Sequence, residues 1–471
     1  MRRRLDSTFQ SLGIRNYRLF ATGQLISLIF GWVQITAQDW LVLQLSHDSP
    51  SALGVVTAFQ FGPILVLTLY GGKLADQFDK RRMLLVLNSS YMVLACLMGA
   101  LVTSGRAQLW QVFVFAVLWG TVTSIEGPTR QSFVSEMVER RLLPNALALS
   151  AATFNTARVI GPALGGAAIA LFGTGTAFVV NAVSYVGPLI VLSLMRPSEL
   201  YRDGLVSGAE TEAKAKVTDG LRYVRYRPDL LLVLGLMMVI GLVGFNLQLT
   251  LAVLAKNVFH TGAASFGLFS TAVAVGALSG ALAGSGRRAR PSVWTVLGAA
   301  VAFGALEIAA GLMPTYLTTA IVLVPTGFFM IYLAQAANQR VQLGVDPELR
   351  GRVMGLYLLV FMGTNPIGAP VIGWVAQTFG ARTSIWLGGV ISLLVGGAAL
   401  ALRLRMAGGR VRLVIVPRPR FYVDIAPAWQ GDPHGVSATA RVPLRRLLPA
   451  APAGVLGSPE HAGAELSRVD G

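Results

Sequence analysis

The chain has 471 residues, of which 54% are hydrophobic and 13% are charged, and its formal net charge is +17. Soluble domains carry about 25% charged residues, so half that share excludes an ordinary set of soluble domains. The single cysteine, Cys96, excludes an intramolecular disulfide, and no Cys/His spacing suits a metal site.

Apolar stretches of about 20 residues recur along the chain, and each can cross a hydrocarbon core about 30 Å thick. Because irregular backbone cannot face lipid, these stretches predict helices. The first is too long for a signal-peptide core and no cleavage pattern follows it, so we expect it to be retained. Twelve spans are predicted, at residues 18–42, 52–72, 83–104, 108–128, 145–172, 175–195, 229–254, 264–285, 292–313, 315–337, 353–378 and 383–404.

A polar stretch between the sixth and seventh spans divides the apolar region into six and six spans. The predicted organisation is an N-terminal half (1–196), a cytoplasmic middle loop (197–227), a C-terminal half (228–405) and a cytoplasmic tail (406–471). The tail is rich in Pro, Arg, Ala and Gly and contains no stretch that could span a membrane. We expect most of it to be disordered.

The basic residues are distributed unevenly between the two sides that twelve spans define. Of the 39 Lys and Arg residues, 35 fall on the side of the two termini, and Arg158 lies within a span. The opposite side holds only Arg106, Lys256 and Arg382. Basic loops stay in the cytoplasm, so both termini are predicted to be cytoplasmic. This topology accounts for the net charge without a nucleic-acid partner.

The two halves carry an internal repeat. Residues 145–173 align without a gap on residues 352–380, at an offset of 207. Matched positions include Phe154 with Phe361, Gly161 with Gly368, Gly166 with Gly373 and Gly173 with Gly380. Repeats of this kind are typical of secondary transporters, and they predict two pseudo-symmetric six-helix halves.

The loop between the second and third spans has a distinctive pattern of Gly, Asp and basic residues. It reads Gly72-Lys-Leu-Ala-Asp76-Gln-Phe-Asp-Lys80-Arg81-Arg. Gly72 is expected to permit close approach of a neighbouring helix. The Asp76 carboxylate suits the positive end of a helix dipole, and the basic residues suit the lipid surface.

The fifth span contains a second motif, Arg158-Val-Ile-Gly161-Pro162-Ala-Leu-Gly165-Gly166. Pro162 removes a backbone hydrogen bond and favours a kink, whereas the three glycines permit tight packing of a facing helix. Ordinary small-residue packing is the alternative explanation for this pattern.

Both motifs resemble signatures of the major facilitator superfamily, over about residues 10–405. The resemblance implies an all-α membrane fold of twelve transmembrane helices. It also implies that Gly72, Asp76, Lys80 and Arg81 form a gating latch, which clamps the halves together on the cytoplasmic side when the site faces outward. Gln77 and Asp79 depart from the usual Arg and Gly of that signature. The string at Gly161, Pro162, Gly165 and Gly166 resembles the antiporter motif of exporters.

Two further stretches resemble the enterobactin-exporter and transmembrane secretion effector subfamily of drug and siderophore exporters. They are residues 10–45, which include Arg15-Asn-Tyr-Arg-Leu-Phe20, and residues 115–175. The fourth span lacks the R-x-x-q-G signature of many drug–proton antiporters and has Glu126 near its inner end instead. The proton-coupling mechanism of those antiporters therefore cannot be carried over directly to this chain.

Four ionisable residues are placed at membrane depth, where each costs about 2.5–3.5 kcal/mol on insertion scales. These candidates for coupling or substrate binding are Asp39, Glu126, Arg158 and Glu307. Arg158 lies near mid-span and needs an anionic partner, either a carboxylate or a substrate. Glu307 is the stronger candidate for a proton site by depth, whereas Asp39 and Glu126 either take part in coupling or reach water.

No nucleotide-binding, nucleophile or metal motif is present, so we expect neither an enzyme nor an ATP-driven pump, and no cofactor. The predicted function is secondary active export of a small drug-like or siderophore-like molecule, by alternating access and proton antiport. The predicted location is the bacterial inner membrane, as a monomer. An importer, a lipid flippase and a non-transporting sensor or scaffold of the same fold remain alternatives.

Overall fold

The computed structural model describes residues 10–201, 217–285, 290–346, 349–406, 410–414, 420–425 and 440–443. The chain divides into two compact units, Met1–Leu400 and Ala401–Gly471. The first unit is a helical bundle that contains all the predicted site residues.

Among the described residues, twelve successive helical segments form the bundle, and two of them are broken. Their bounds are α1 Arg15–Leu45, α2 Pro50–Gln77, α3 Lys80–Thr103, α4 Leu109–Met137, α5 Leu143–Phe172, α6a Thr174–Ser184, α6b Val186–Leu194, α7a Pro228–Val243, α7b Leu247–Val253, α8 Ala263–Ser285, α9 Val293–Leu312, α10 Tyr316–Gln342, α11 Arg350–Phe379 and α12 Ala381–Met406. Shorter pieces are the turns Gln10–Gly13, Pro197–Glu199 and Leu254–Val258, and a linker helix, Val217–Arg225.

Eleven of these segments, within the part of the chain that is described, are long and apolar enough to cross a membrane. The remaining segment, α5, has 30 residues, which extend about 45 Å at the helical rise. It carries the polar residues Asn145, Asn155 and Arg158. The predicted twelve-helix membrane fold is confirmed.

The internal repeat is visible in the helix bounds. Helices α5 and α11 both have 30 residues, and their ends differ by the predicted offset of 207. Each ends at a glycine with positive φ, +82° at Gly173 and +91° at Gly380. Glycine adopts this conformation without the steric cost of a side chain, which explains why both helices stop at the matched residue.

One of the two helix breaks has an identifiable cause. Pro188 cannot donate the backbone hydrogen bond that would reach Ser184, and α6 breaks at Tyr185 between them. Helix α7 breaks between Val243 and Leu247, where Gly244 packs tightly against the ring of Phe303. We did not predict either break.

The side of the bundle at which α1 begins and α6b ends is called the terminal side, and the opposite side the far side. On the terminal side of the N-terminal half, a buried cluster joins α1, α3, α4, α5 and α6b. Within it, the Tyr17 hydroxyl donates to the Ala146 carbonyl at 2.8 Å. This cluster makes the terminal ends of that half a single packed body.

In the second unit, the described residues beyond α12 form three short strands, β1 Arg410–Val414, β2 Arg420–Ile425 and β3 Ala440–Pro443. They form an antiparallel sheet in the order β1-β2-β3. We did not anticipate this sheet when predicting a mostly disordered tail. The rest of residues 407–471 lies outside the described residues, so for those the prediction stays untested.

Candidate functional site

A cavity of about 240 Å³ lies between the two halves. Helices α1, α2 and α5 line it from the N-terminal half, and α7, α8 and α11 line it from the C-terminal half. Its lining residues are Trp32, Ile35, Asp39, Thr57, Gln60, Phe61, Arg158, Pro162, Phe245, Asn246, Gln248, Leu249, Ser270, Val273, Ala274 and Asn365. Two of the four predicted ionisable residues, Asp39 and Arg158, therefore meet here.

The Arg158 guanidinium is the cationic group of the cavity lining. Its central carbon lies 6.0 Å from the centroid of the Trp32 ring, at the limit of a cation–π contact. It forms neither an ion pair nor a hydrogen bond with any described residue. The anionic partner that the sequence analysis required for Arg158 is thus not found among the described residues, and a substrate is left as the candidate.

Asp39 provides the carboxylate of the same cavity. It lies seven residues beyond Trp32 on α1, which is about 10 Å along the helix axis toward the far side. The residue is only 6% exposed. The axial separation explains why Asp39 and Arg158 do not pair, so the cavity has a positive end and a negative end.

Polar groups without partners face this cavity. The Ser270 hydroxyl oxygen and the Gln248 amide nitrogen are buried and have no hydrogen bond of ordinary geometry within the described structure, and the Gln248 side chain lies against the Asp39 carboxylate. Buried polar groups are normally hydrogen-bonded, so these two groups are available to a molecule bound in the cavity. The break in α7 brings Phe245 and Asn246 into the lining as well.

Glu307 lies elsewhere. It is 2% exposed on α9, with one carboxylate oxygen packed close to Gly388 of α12 and the other without a hydrogen bond to a described residue. It is not among the residues that line the cavity. The sequence located its depth but could not show that it faces α12.

Glu126 is also absent from the cavity lining. It forms an ion pair with Arg130 one turn further along α4, at 2.9 Å. Helix α4 continues to Met137, nine residues beyond the predicted end of this span, so Glu126 sits well inside the helix.

The Gly-Pro motif of α5 is wedged between two helices. A side-chain carbon at Gly161 would lie 2.3 Å from Cβ of Trp32 on α1, and one at Gly165 would lie 3.1 Å from Cα of Val33. Gly166 faces α8, where the Ala263 carbonyl oxygen would be 2.6 Å away. The helix runs unbroken through Pro162, and the expected close packing of the glycines is present.

The basic residues of the predicted latch bind within their own half. Lys80 forms an ion pair with Glu136 of α4 at 2.6 Å. Arg81 donates to the carbonyls of Leu192 and Ser193 at the end of α6b, at 2.6 and 3.1 Å. In this conformation Lys80 and Arg81 thus fasten α3 to α4 and α6b, and the clamp between halves implied by the resemblance is not among their described contacts.

The close helix approach expected at Gly72 is found one residue earlier. A side-chain carbon at Gly71 would lie 2.4 Å from the Ser124 carbonyl oxygen of α4, whereas one at Gly72 would meet nothing within 4 Å. Asp76 lies in the last turn of α2, and its side chain is outside the described part of the structure. Asp79, a departure from the superfamily signature, caps α3 by accepting the Arg82 backbone N–H at 2.8 Å.

Polar contacts close the far side of the bundle between the halves. Lys256, beyond α7b, forms an ion pair with Asp48 in the turn between α1 and α2. Asn257 donates to the Asp48 carbonyl at 3.1 Å, and Ser49 donates to Gln377 of α11 at 2.9 Å. We did not predict these far-side contacts from the sequence, although Lys256 is one of few basic residues predicted for the far side.

Helices α2 and α11 meet at the far side and part toward the terminal side. At Gly54, a side-chain carbon would lie 2.5 Å from the Ala369 carbonyl oxygen, and at Gly363 one would lie 3.1 Å from the Leu65 side chain. Nearer the terminal side, Gly72 and Gly355 would meet nothing within 4 Å. The cavity is therefore sealed more tightly on its far side along this helix pair.

Two six-helix halves, a cavity between them and tight closure on one side define a major facilitator superfamily transporter. Residues 6–414 match the family model described as transmembrane secretion effector, so the chain belongs to that family.

Curated relatives include a staphyloferrin A transporter of Staphylococcus aureus, 22% identical over 80% of this chain and 94% of the relative. The multidrug efflux pump Tap of Mycolicibacterium fortuitum is 29% identical over 79% of this chain and 92% of that protein. The enterobactin exporter EntS of Escherichia coli O1:K1 is 24% identical over 80% of this chain and 87% of that protein.

Solved structures agree on the fold. A bacterial homologue of the human lysosomal transporter Spinster, in an inward-facing conformation, matches with a TM-score of 0.66 and 16% identity, over 83% of this chain and 96% of that chain. The nucleoside transporter NupG matches with a TM-score of 0.66 and 12% identity, over 83% of this chain and 99% of that chain.

Proposed function

We propose that this protein exports a small molecule across the bacterial inner membrane by exchange for protons. The observation that carries the proposal is the cavity between the halves, in which Arg158 has no ionic partner, and Ser270 and Gln248 hold unpartnered polar atoms, among the residues that the structure describes. A transporter needs such groups for its substrate, whereas a scaffold would gain nothing from leaving them unsatisfied.

The terminal side is assigned to the cytoplasm, with both termini there. The support is the excess of Lys and Arg residues on that side, 35 against three. The closed far side then faces outward, and the described conformation is the one that loads substrate from the cytoplasm. Alternating access would open the far-side contacts and close the terminal side.

Asp39 is proposed as the proton-exchange site. It is a buried carboxylate in the substrate cavity itself, so proton and substrate compete for one place. Burial of a carboxylate favours its neutral form in general, which makes proton exchange possible at such a site. Glu307 lies outside the cavity and is the second candidate.

Export is favoured over import by two observations. The Gly161-Pro162-x-x-Gly165-Gly166 string is typical of exporters in this superfamily, and it forms the tight contacts of α5 with α1 and α8. The named relatives include an efflux pump and a siderophore exporter. A drug-like or siderophore-like substrate is the corresponding proposal for this chain.

The test is transport in inside-out membrane vesicles whose lumen is made acidic. A panel of dyes, drugs and iron-free siderophores is added, and accumulation is measured with and without an uncoupler. The proposal is supported if the wild type shows uncoupler-sensitive accumulation, Arg158→Gln loses it and Arg106→Gln keeps it. Arg106 is the control because it is an exposed residue on the far side.

Two results would contradict it. Accumulation only in right-side-out vesicles would establish an importer. Absence of transport for every compound, with the protein correctly inserted, would favour a non-transporting member of the family.

A further inference from the structure

We propose that the substrate is zwitterionic, with an anionic group held at Arg158 and a cationic group held at Asp39, on either side of an apolar body. The inference rests on the proposed function and names the substrate class of the same cavity. It is carried by the spatial separation of the two charges and by the groups that surround each of them.

The anion subsite consists of Arg158 and Ser270. On the facing helices, the Thr271 hydroxyl donates to the Val159 carbonyl at 3.2 Å. Because the two helices run antiparallel, Arg158 of α5 and Ser270 of α8, each one residue earlier, lie about 3 Å apart along the bundle axis. Ser270 is 4% exposed and its hydroxyl has no partner among the described residues. A carboxylate there would pair with a guanidinium and accept from a hydroxyl.

The cation subsite is Asp39. The axial distance from Trp32, beside Arg158, to Asp39 is about 10 Å. Both charges line the same cavity, so a molecule carrying a single charge would satisfy one of them and leave the other without a partner. Leaving a buried charge unpaired is costly. A zwitterion of matching length satisfies both.

The body of the molecule would lie against apolar and aromatic side chains. Trp32, Phe61, Phe245 and Leu249 contribute such surfaces to the lining. The Gln248 side chain lies against the Asp39 carboxylate, so it is a further polar group next to the cationic end of that body. An aromatic spacer between the two charges fits this pattern.

A zwitterion also explains how substrate export and proton entry exclude each other. A proton on Asp39 removes the charge that holds the cationic group, so proton and substrate compete at this carboxylate. A purely anionic substrate would instead bind better to the protonated site and would be carried together with the proton. Antiport therefore requires the cationic end.

The probe is 4'-(aminomethyl)biphenyl-4-carboxylate, a rigid zwitterion of about the required length. Its controls are biphenyl-4-carboxylate and 4-biphenylmethylamine, which each keep one charge. Binding to purified full-length protein in nanodiscs is measured by calorimetry. The zwitterion is expected to bind about tenfold more tightly than either control, because it makes one more hydrogen bond to a charged group.

The variants assign each end. Arg158→Gln should remove the preference for the carboxylate and Arg158→Lys should retain it, whereas Asp39→Asn should remove only the preference for the amine. Arg106→Gln should change nothing. The proposal is overturned if the zwitterion binds no better than both single-charge controls, or if Arg158→Gln leaves its advantage intact. Transport in vesicles distinguishes this inference from the proposed function. Uncoupler-sensitive export of other compounds, with no preference for the zwitterion, would contradict the inference but would still support the proposed function.

Discussion

Lys256 of the C-terminal half forms an ion pair with Asp48 of the N-terminal half, 208 residues earlier in the chain. The same ammonium lies 5.3 Å from the centroid of the Trp40 ring, and Trp40 stacks on Phe266 of α8 at 6.4 Å. Asp48 and its neighbour His47 both have positive φ, 64° and 54°, which is uncommon outside glycine. A constrained turn thus presents Asp48 to the opposite half.

Lys256→Gln is expected to weaken closure of the far side. The ion pair is partly exposed, so the pair and the ring contact together contribute about 1 kcal/mol, or roughly a fivefold shift between conformations. The measurement is the distance distribution between spin labels at Ser104→Cys and Thr378→Cys, in a Cys96→Ser background. The far-side-open population should rise. Arg106→Gln is the matched loss of a basic residue on the same side, and an equal shift in that variant would show that the effect is general electrostatics.

Gly71→Ala is expected to destabilise the protein, and Gly72→Ala is not. The first methyl group would lie 2.4 Å from a backbone oxygen of α4, and the second would meet nothing within 4 Å. Overpacking of this kind costs about 1–3 kcal/mol. Thermal unfolding of the two purified variants should differ accordingly. Equal melting temperatures would mean that α2 and α4 are not packed at Gly71 as described.

The pair Gly71 and Gly72 illustrates what the sequence can and cannot determine. Hydropathy located α2 to within a few residues at its start, because a membrane span is set by length and apolar content. Which of two adjacent glycines faces α4 depends on helix rotation, and a mostly apolar helix carries little information about rotation. The superfamily signature pointed to Gly72, whereas the tight contact lies at Gly71.

The candidate site was predicted in part for similar reasons. Arg158 and Asp39 stand out because charges are rare in membrane spans, and both line the cavity. Ser270 and Gln248 carry no such signal, since uncharged polar residues are common in transmembrane helices. The contact of Lys256 with Asp48 joins loops of different halves, which no local pattern reveals.

Truncation after Met406 should leave the bundle folded. Met1–Leu400 forms a compact unit by itself, and α12 ends at Met406. The melting temperature and transport of the truncated protein are expected to match those of the full chain. A truncated protein that is inserted but unstable would show that the second unit contributes to the bundle.

Asp39→Asn is expected to abolish uncoupler-sensitive accumulation while substrate exchange across the membrane continues. The amide retains the shape of the carboxylate but neither exchanges a proton nor pairs with a cationic group, so coupling is lost, whereas exchange persists once the substrate concentration is raised to offset the weaker binding. The measurement compares proton-driven uptake with exchange of labelled for unlabelled substrate in the same vesicles. Loss of both activities would indicate a role in substrate binding alone, and retention of proton-driven uptake would exclude Asp39 as the coupling site.

Glu307→Gln is expected to keep both proton-driven uptake and substrate selectivity. Glu307 is enclosed against α12 near Gly388, and one of its oxygens lacks a partner among the described residues, so a neutral side chain of the same size fits the site without leaving a buried charge. Its melting temperature should equal or exceed that of the wild type. If Glu307→Gln instead lost coupling while Asp39→Asn kept it, the proton would bind outside the substrate cavity. Coupling would then have to pass through the packing of α9 against α12 and the break in α7, because proton and substrate would no longer compete at one carboxylate.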